Sequence, residues 1–295
     1  MSDLIYKRNR KRYLLLILPA FILYTFTLVI PLLGGTFPNA LTNWNLMKGT
    51  KQFVGLDNYI RLLQDKNFQQ AIVFTLILGI VTIIFTNVLA FITAFFLSEK
   101  IFGGSISRAM FFLPNIISGV MVSYVWYFIF TRAIPDVGKM LSNHFLSNIS
   151  WFGTPGWAFA ATTIVSVWQG TGFLMILYIA GLQTIPKDVL EAAKLDGCVG
   201  IKKIAYIELP LLMTTVTVNL FVSIANSFKA FDIPFALTGG GPGGSTQTIA
   251  LDIYNDAFGS FKMGYGSAKS VILFLMVAAV TLVQLWITRK KEVQA

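Results

Sequence analysis

Hydrophobic positions in this chain fall into long runs separated by short polar segments. Apolar stretches near 13–33, 71–97, 109–130, 157–182, 210–228 and 267–287 each match the roughly 20 residues a helix needs to cross about 30 Å of hydrocarbon. They predict six transmembrane helices and an all-α integral membrane protein. One polar segment stands apart, the stretch 184–210 between the fourth and fifth runs, which is long, charged and marked by glycine.

Within that segment Ile185, Val189, Ala192, Ala193 and Leu195 recur at roughly helical spacing, and Lys187, Asp188, Glu191 and Lys194 form the opposite, polar face. The pattern predicts a short amphipathic helix. Pro186 suits its first turn with Thr184 as a cap, Gly197 suits a left-handed terminating position, and a second short helix follows. A connection between membrane helices is ordinarily shorter. An ordered helical hairpin here reads either as a docking surface or as an interfacial element on lipid headgroups, which Lys194, Lys202 and Lys203 would favour.

Composition agrees with a membrane protein. The chain of 295 residues is 55% hydrophobic and 12% charged, more apolar surface than one soluble core of that size can hide. The basic head Lys7 to Arg12 precedes an apolar run too long for a signal peptide and without a small-residue cleavage site, so the run is expected to stay as an anchor. If both termini are cytoplasmic, the cytoplasmic segments 1–12, 98–108, 184–210 and 288–295 hold 14 of the 23 Lys and Arg residues, while three longer outer segments hold eight. This positive-inside asymmetry predicts a basic cytoplasmic N-terminus over 1–12, a six-helix domain over 13–288 with the loop 184–210 facing the cytoplasm, and a cytoplasmic tail over 289–295. The net charge of +10 is then an orientation signal. Basic residues scattered over short loops, without one basic face, argue against a nucleic-acid partner.

Candidate covalent and metal chemistry is sparse. Cys198 and His144 are the only residues of their kinds, so neither an internal disulfide nor a Cys/His metal set is available. Cys198 reads as structural filler and His144 as a solvated loop residue. Asn148-Ile149-Ser150 matches a glycosylation triplet of the sort that arises by chance. Gly239 to Thr246 nearly fits a phosphate loop, but Ser245 stands where the lysine belongs and Pro242 removes a backbone donor. A tight, flexible turn is the expectation there.

Glu191-Ala192-Ala193, Asp196-Gly197 and Leu209-Pro210 resemble the EAA loop of bacterial ABC-importer permeases. Phe53-Val54-Gly55-Leu56-Asp57-Asn58-Tyr59 with Phe68, Gly181-Leu182-Gln183-Thr184-Ile185-Pro186, Leu237-Thr238-Gly239-Gly240-Gly241-Pro242 and Gly264-Tyr265-Gly266-Ser267-Ala268 are similar, in order, to segments of the carbohydrate-uptake permeases, on the side of the first maltose-type permease. The resemblance implies a type I ABC importer permease fold and a multi-pass protein of the bacterial cell (inner or plasma) membrane. It implies pairing with a second homologous permease, with two ATP-binding cassette ATPase subunits that bind ATP and Mg, and with an extracytoplasmic solute-binding protein. The substrate implied is a sugar: an oligosaccharide, a disaccharide, or a related polyol or sugar phosphate. No cofactor is expected in this chain. Glu191, Ala192, Ala193, Asp196, Gly197, Leu209 and Pro210 would couple it to the ATPases. Cys198, Val199, Gly200 and Ile204 depart from the commoner residues.

A sugar crossing lipid needs hydrogen-bond partners throughout, so polar stripes in the spans are path candidates. Thr215, Asn219, Ser223 and Asn226 share one face of the fifth span. Thr75, Gly79, Thr82 and Thr86 do so in the second, and Thr162, Ser166 and Gln169 in the fourth, with Trp168 as a possible stacking surface. Small and hydroxylated residues also serve helix packing, the reading favoured for the threonine stripe. Lys229 and Asp232 are expected to pair with each other. Lys269 is expected either to snorkel or to attract an anionic substrate. A permease for a non-sugar solute remains open. A secondary transporter would show internal repeats, broken spans and a mid-membrane coupling residue, and an embedded enzyme would show clustered catalytic groups.

Overall fold

The computed structural model describes residues 15–98 and 103–290; the basic head Lys7 to Arg12 and the tail beyond Lys290 lie outside them. Among the described residues, four helices are long and apolar enough to cross a membrane: α1 (Leu15–Ala40), α3 (Lys66–Ser98), α6 (Pro155–Thr184) and α11 (Met263–Arg289). Two further spans are bent pairs, α4 (Gly104–Ile116) with α5 (Gly119–Met140), at 101°, and α8 (Ile201–Leu211) with α9 (Met213–Phe228), at 75°. Counting each pair as one span gives the six expected. Shorter helices include α2 (Asp57–Gln64), α7 (Lys187–Leu195) and α10 (Ile249–Tyr254).

The bends in the third and fifth spans are not marked by the length and hydrophobicity of their apolar runs. Pro114 lies inside α4, where its ring and missing N–H weaken the preceding turn. Ile117 and Ser118 are then extended, with ψ of 139° and 137°. The carbonyls this break frees are not orphaned: Gln169 Nε2 donates to Ile117 O at 3.0 Å and to Pro114 O at 3.4 Å. Within a membrane span, non-helical backbone is tolerable only with such partners. In the fifth span Pro210 precedes the bend, and α9 is 16 residues, about 24 Å long at 1.5 Å per residue.

Two compact units make up the chain. One comprises residues up to Gln64 together with Ile253–Ile272. There Asn58, 4% exposed, donates through Nδ2 to Ala40 O and Thr42 O, and Gly264 N donates to Trp44 O. Lys269 is 1% exposed and pairs with Asp256 at 2.5 Å, with its ammonium also 5.0 Å from the centre of the Tyr265 ring. It therefore neither snorkels nor faces a path. Its charge is balanced within the unit.

The other unit comprises Asp65–Asp252 and the chain from Leu273. Its centre is α6, which packs against α3, α4 and α9. Small side chains allow the approach: Ala90, Ala94, Ala158 and Ala161 are all fully buried, as expected where lipid offers no hydrophobic drive and close van der Waals contact does the work. Around them pack Leu174, Met175, Tyr178 and Ile179. A second cluster joins Val122, Phe130, Ala161 and Val165 to Trp126, Trp151 and Phe152. The Gly239–Thr246 segment is a turn closed on itself: Thr246 N donates to Gly240 O at 2.7 Å, and Thr246 Oγ1 to Thr238 Oγ1 at 2.8 Å.

Candidate functional site

Two features of the second unit carry the chemistry: the helical hairpin at 184–210, and a cavity beside the broken third span.

The hairpin forms as its sequence predicts, with a different start. Thr184 closes α6 by donating to Gly181 O at 2.7 Å, and α7 begins at Lys187 with Pro186 as its cap residue and no side-chain cap. Its end is a Schellman motif. Cys198 N donates to Ala193 O at 2.8 Å and Gly197 N to Lys194 O at 3.2 Å, with Gly197 at φ 73°. Only glycine holds that backbone at no steric cost. The apolar face is smaller than its periodicity implies. Ile185 and Ala193 are buried, but Ala192 and Leu195 are exposed, as are Val199, Ile201 and Tyr206 further along the hairpin. Glu191, Asp196 and Gly197 are exposed as well. Leu209 is 39% exposed and Pro210 half-buried. Sequence reasoning missed one pair: Glu208, 4% exposed, accepts Lys203 Nζ at 2.9 Å. Lys203 is thereby turned towards the protein and not towards a headgroup.

The cavity has a volume of about 520 Å³, within the roughly 300–1,000 Å³ of sites that enclose small ligands. Three helices supply hydroxyls and amides to it: Thr82 and Thr86 from α3, Ser166 and Gln169 from α6, Ser223 and Asn226 from α9. The broken span adds Asn115 and Ser118, and the end of α9 adds Lys229 and Asp232. Thr82 Oγ1 and Thr86 Oγ1 are buried and have no hydrogen-bond partner, although such hydroxyls in helices usually bond the carbonyl four residues back, as Thr75 does to Ala71. The threonine stripe is therefore divided. Thr75 packs and accepts Ile249 N at 2.9 Å, whereas Thr82 and Thr86 line the cavity.

The predicted path residues are divided in the same way. Gln169, Ser223 and Asn226 meet on the cavity. Asn219 does not reach it; fully buried, it donates through Nδ2 to Leu174 O at 3.3 Å. Trp168 turns away, because successive helical positions differ by about 100°, and lines an apolar groove with Phe85, Phe111 and Ile164. Its ring meets Trp126 at 5.5 Å. Asn115 and Ser118 went unnoticed in the sequence, since nothing but the Pro114 signal marks the break that exposes them. Lys229 and Asp232, expected to pair, form no ion pair among the described residues; both are exposed on the cavity. No cluster of three or more His, Cys, Asp or Glu suited to a metal occurs among the described residues.

Known proteins agree with this architecture. The family model described as "Binding-protein-dependent transport system inner membrane component" matches residues 86–293. The chain is 36% identical to the probable starch degradation products transport system permease protein AmyD of Thermoanaerobacterium thermosulfurigenes, over 97% of each chain. It is 38% identical to the multiple sugar-binding transport system permease protein MsmF of Streptococcus mutans, over 89% of this chain and 90% of that one. With the trehalose/maltose transport system permease protein MalF of Thermococcus litoralis it shares 33% identity over 98% and 97%. A chain of a bacterial ABC transporter involved in the import of the acidic polysaccharide alginate has the same fold, with a TM-score of 0.80 at 22% identity and 97% of each chain covered. By a family match over most of its length and by relatives that span it almost end to end, the chain belongs to the inner-membrane components of binding-protein-dependent transport systems.

Proposed function

We propose that this chain is the permease subunit of a carbohydrate ABC importer, a transport component and not an enzyme. It forms an alternating-access path with a second, homologous permease, receives its substrate from an extracytoplasmic binding protein, and is driven by two ATPase subunits that hold ATP and Mg. The observation that carries this reading is the cavity. Side chains bearing hydroxyls and amides line it from three helices: Thr82 and Thr86, Ser166 and Gln169, Ser223 and Asn226. A saccharide supplies the donors and acceptors that such a surface needs in a low-dielectric setting. Gln169, Ser223 and Asn226 would line its route, with Asn219 and Trp168 behind them in packing roles. The relatives named for starch products, multiple sugars and trehalose/maltose support the substrate class.

In this reading both termini and the hairpin 184–210 face the cytoplasm, with 13–288 as the membrane domain between a basic head and a short tail. The exposed part of the hairpin around Glu191, Ala192, Asp196 and Gly197 is the surface the ATPases grip; Ala193, Leu209 and Pro210 seat the hairpin on the fifth span. ATP-driven closure of the ATPases moves the hairpin and opens the path towards the loaded binding protein, and hydrolysis resets it. The test is to reconstitute the chain with the companion permease, ATPases and binding protein of its operon in proteoliposomes, and to offer radiolabelled maltotriose, trehalose, raffinose and glycerol 3-phosphate. ATP-dependent uptake of at least one saccharide, lost on Glu191→Ala, is expected. Uptake of none of the saccharides, or uptake that persists on a proton gradient without ATP, would overturn the reading.

A further inference from the structure

The cavity's rim carries two opposite charges that do not neutralise each other. Lys229 is the C-cap residue of α9, where the unpaired carbonyls of the last turn favour a cation. Asp232 sits against the start of α5. A methyl group built on Gly119 would stand 2.8 Å from Asp232 Cβ and 3.2 Å from its Oδ2, so the Asp232 side chain packs against the first residue of α5, the end of a helix that favours an anion. Each charge thus sits near a helix end of complementary sign, and no ion pair joins the two among the described residues. Both remain exposed to the cavity. Asn115, Ser166, Gln169, Ser223 and Asn226 line the same cavity, so neutral donors and acceptors accompany the two charges.

Resting on the carbohydrate reading above, we propose that Asp232 is a specificity-determining residue that selects uncharged polyhydroxyl substrates. An ionised carboxylate only accepts hydrogen bonds and has room for several, so two neighbouring hydroxyls of a saccharide satisfy it together. The Lys229 ammonium donates to a third oxygen. An acidic saccharide gains nothing from such a rim: the attraction of Lys229 is opposed by Asp232, and the hydration its anion gives up is not replaced. The same balance in a neutral molecule wastes no donor or acceptor. Selection here is by a built-in repulsion as much as by attraction.

The test is equilibrium dialysis on the purified complex of this chain with its companion permease and ATPases, without binding protein, so that no other component filters the substrate. The probes are tritiated maltotriose, trehalose and raffinose, each beside its uronic acid. Wild type is expected to prefer a neutral sugar at least tenfold over its acid. Asp232→Asn, which keeps shape and size, is expected to weaken neutral binding about tenfold and to shrink the preference to within about threefold. Lys229→Gln should weaken the acid more than the neutral sugar and so widen the preference, and Asp232→Ser covers a failure of the amide variant to assemble. If wild type binds a neutral saccharide and both Asp232 variants keep its affinity and preference, the role of Asp232 is overturned and the carbohydrate reading stands. If wild type binds none of the three, both fall.

Discussion

Tyr178 Oη donates to Asn87 Oδ1 at 3.0 Å, joining the fourth span to the second deep inside the protein. Asn87 passes the connection on, since its Nδ2 donates to Ser223 Oγ at 3.0 Å, and Ser223 in turn donates to Asn219 O at 2.7 Å. Three helices are thereby linked by one chain of polar groups, and Ser223 is also a wall residue of the cavity. Such a chain ties the shape of the cavity to the packing of α3, α6 and α9. Every member is buried, so each would cost desolvation energy if left unmade.

Removing the Tyr178 hydroxyl should therefore destabilise modestly. Tyr178→Phe leaves Asn87 bonded to Ser223 and to Ile83 O but strips Oδ1 of its donor. Interhelical hydrogen bonds in membranes average about 0.6 kcal/mol, while a buried group left unsatisfied costs about 1–3 kcal/mol. Between these, thermal denaturation of the detergent-purified complex is expected to show a fall of about 1–2 kcal/mol. Asn87→Leu should cost more, because it leaves the phenol without an acceptor and opens the Ser223 side.

How much of this was legible beforehand follows from what each feature depends on. The long spans depend on apolar length alone, and the hairpin on local periodicity with Gly197 at its end, so both were readable. The Lys229–Asp232 pairing failed because α9 ends at Phe228 with Lys229 as its C-cap, and nearness along a non-helical chain does not bring two side chains together. The break at Ile117–Ser118 depends on Gln169, 52 residues away, and no local signal reports a partner at that distance. Lys269 looked free because Asp256 reaches it across a turn and not along a helix face. In the polar stripes periodicity gave the correct face but not the depth. Asn219 and Asn226 share that face two turns apart, one in the packed interior and one on the cavity.

Gly197 offers a test of the hairpin that involves no steric clash, since a methyl group there would meet nothing within 4 Å. Gly197→Ala pays only for left-handed backbone, about 1–2 kcal/mol. Loss of the Schellman closure would loosen the hairpin beside Glu191. Uptake per ATP hydrolysed is expected to fall severalfold in proteoliposomes while the complex still assembles. Gly197→Asn, which tolerates that backbone better, should recover part of the coupling. Equal loss in both variants would point to the side chain and not to the conformation.

Lys269 and Asp256 invite a charge-removal cycle. Breaking a buried pair from one side costs about 3–5 kcal/mol, because the other charge is stranded; Asp256, with its side chain 18% exposed, keeps some water and moderates this. Lys269→Met should lower thermal stability and expression markedly. The double variant Lys269→Met with Asp256→Asn should regain most of the loss. Saccharide selectivity is expected to stay unchanged in both, since the pair belongs to the unit of residues up to Gln64 and 253–272 and takes no part in lining the cavity.

The most demanding prediction concerns Gly119. Its Cα packs so closely on Asp232 that a methyl group must push one of them away, and the contact lies where the third span begins again after its break. Gly119→Ala keeps every polar group of the cavity, yet it should displace the Asp232 carboxylate from the start of α5. Neutral saccharide binding is therefore expected to weaken about as much as in Asp232→Asn. Pairing the substitution with Asp232→Gly restores the space without restoring the carboxylate. That double variant should recover thermal stability but not binding. If Gly119→Ala binds like wild type, the carboxylate does not act from the position it holds beside α5.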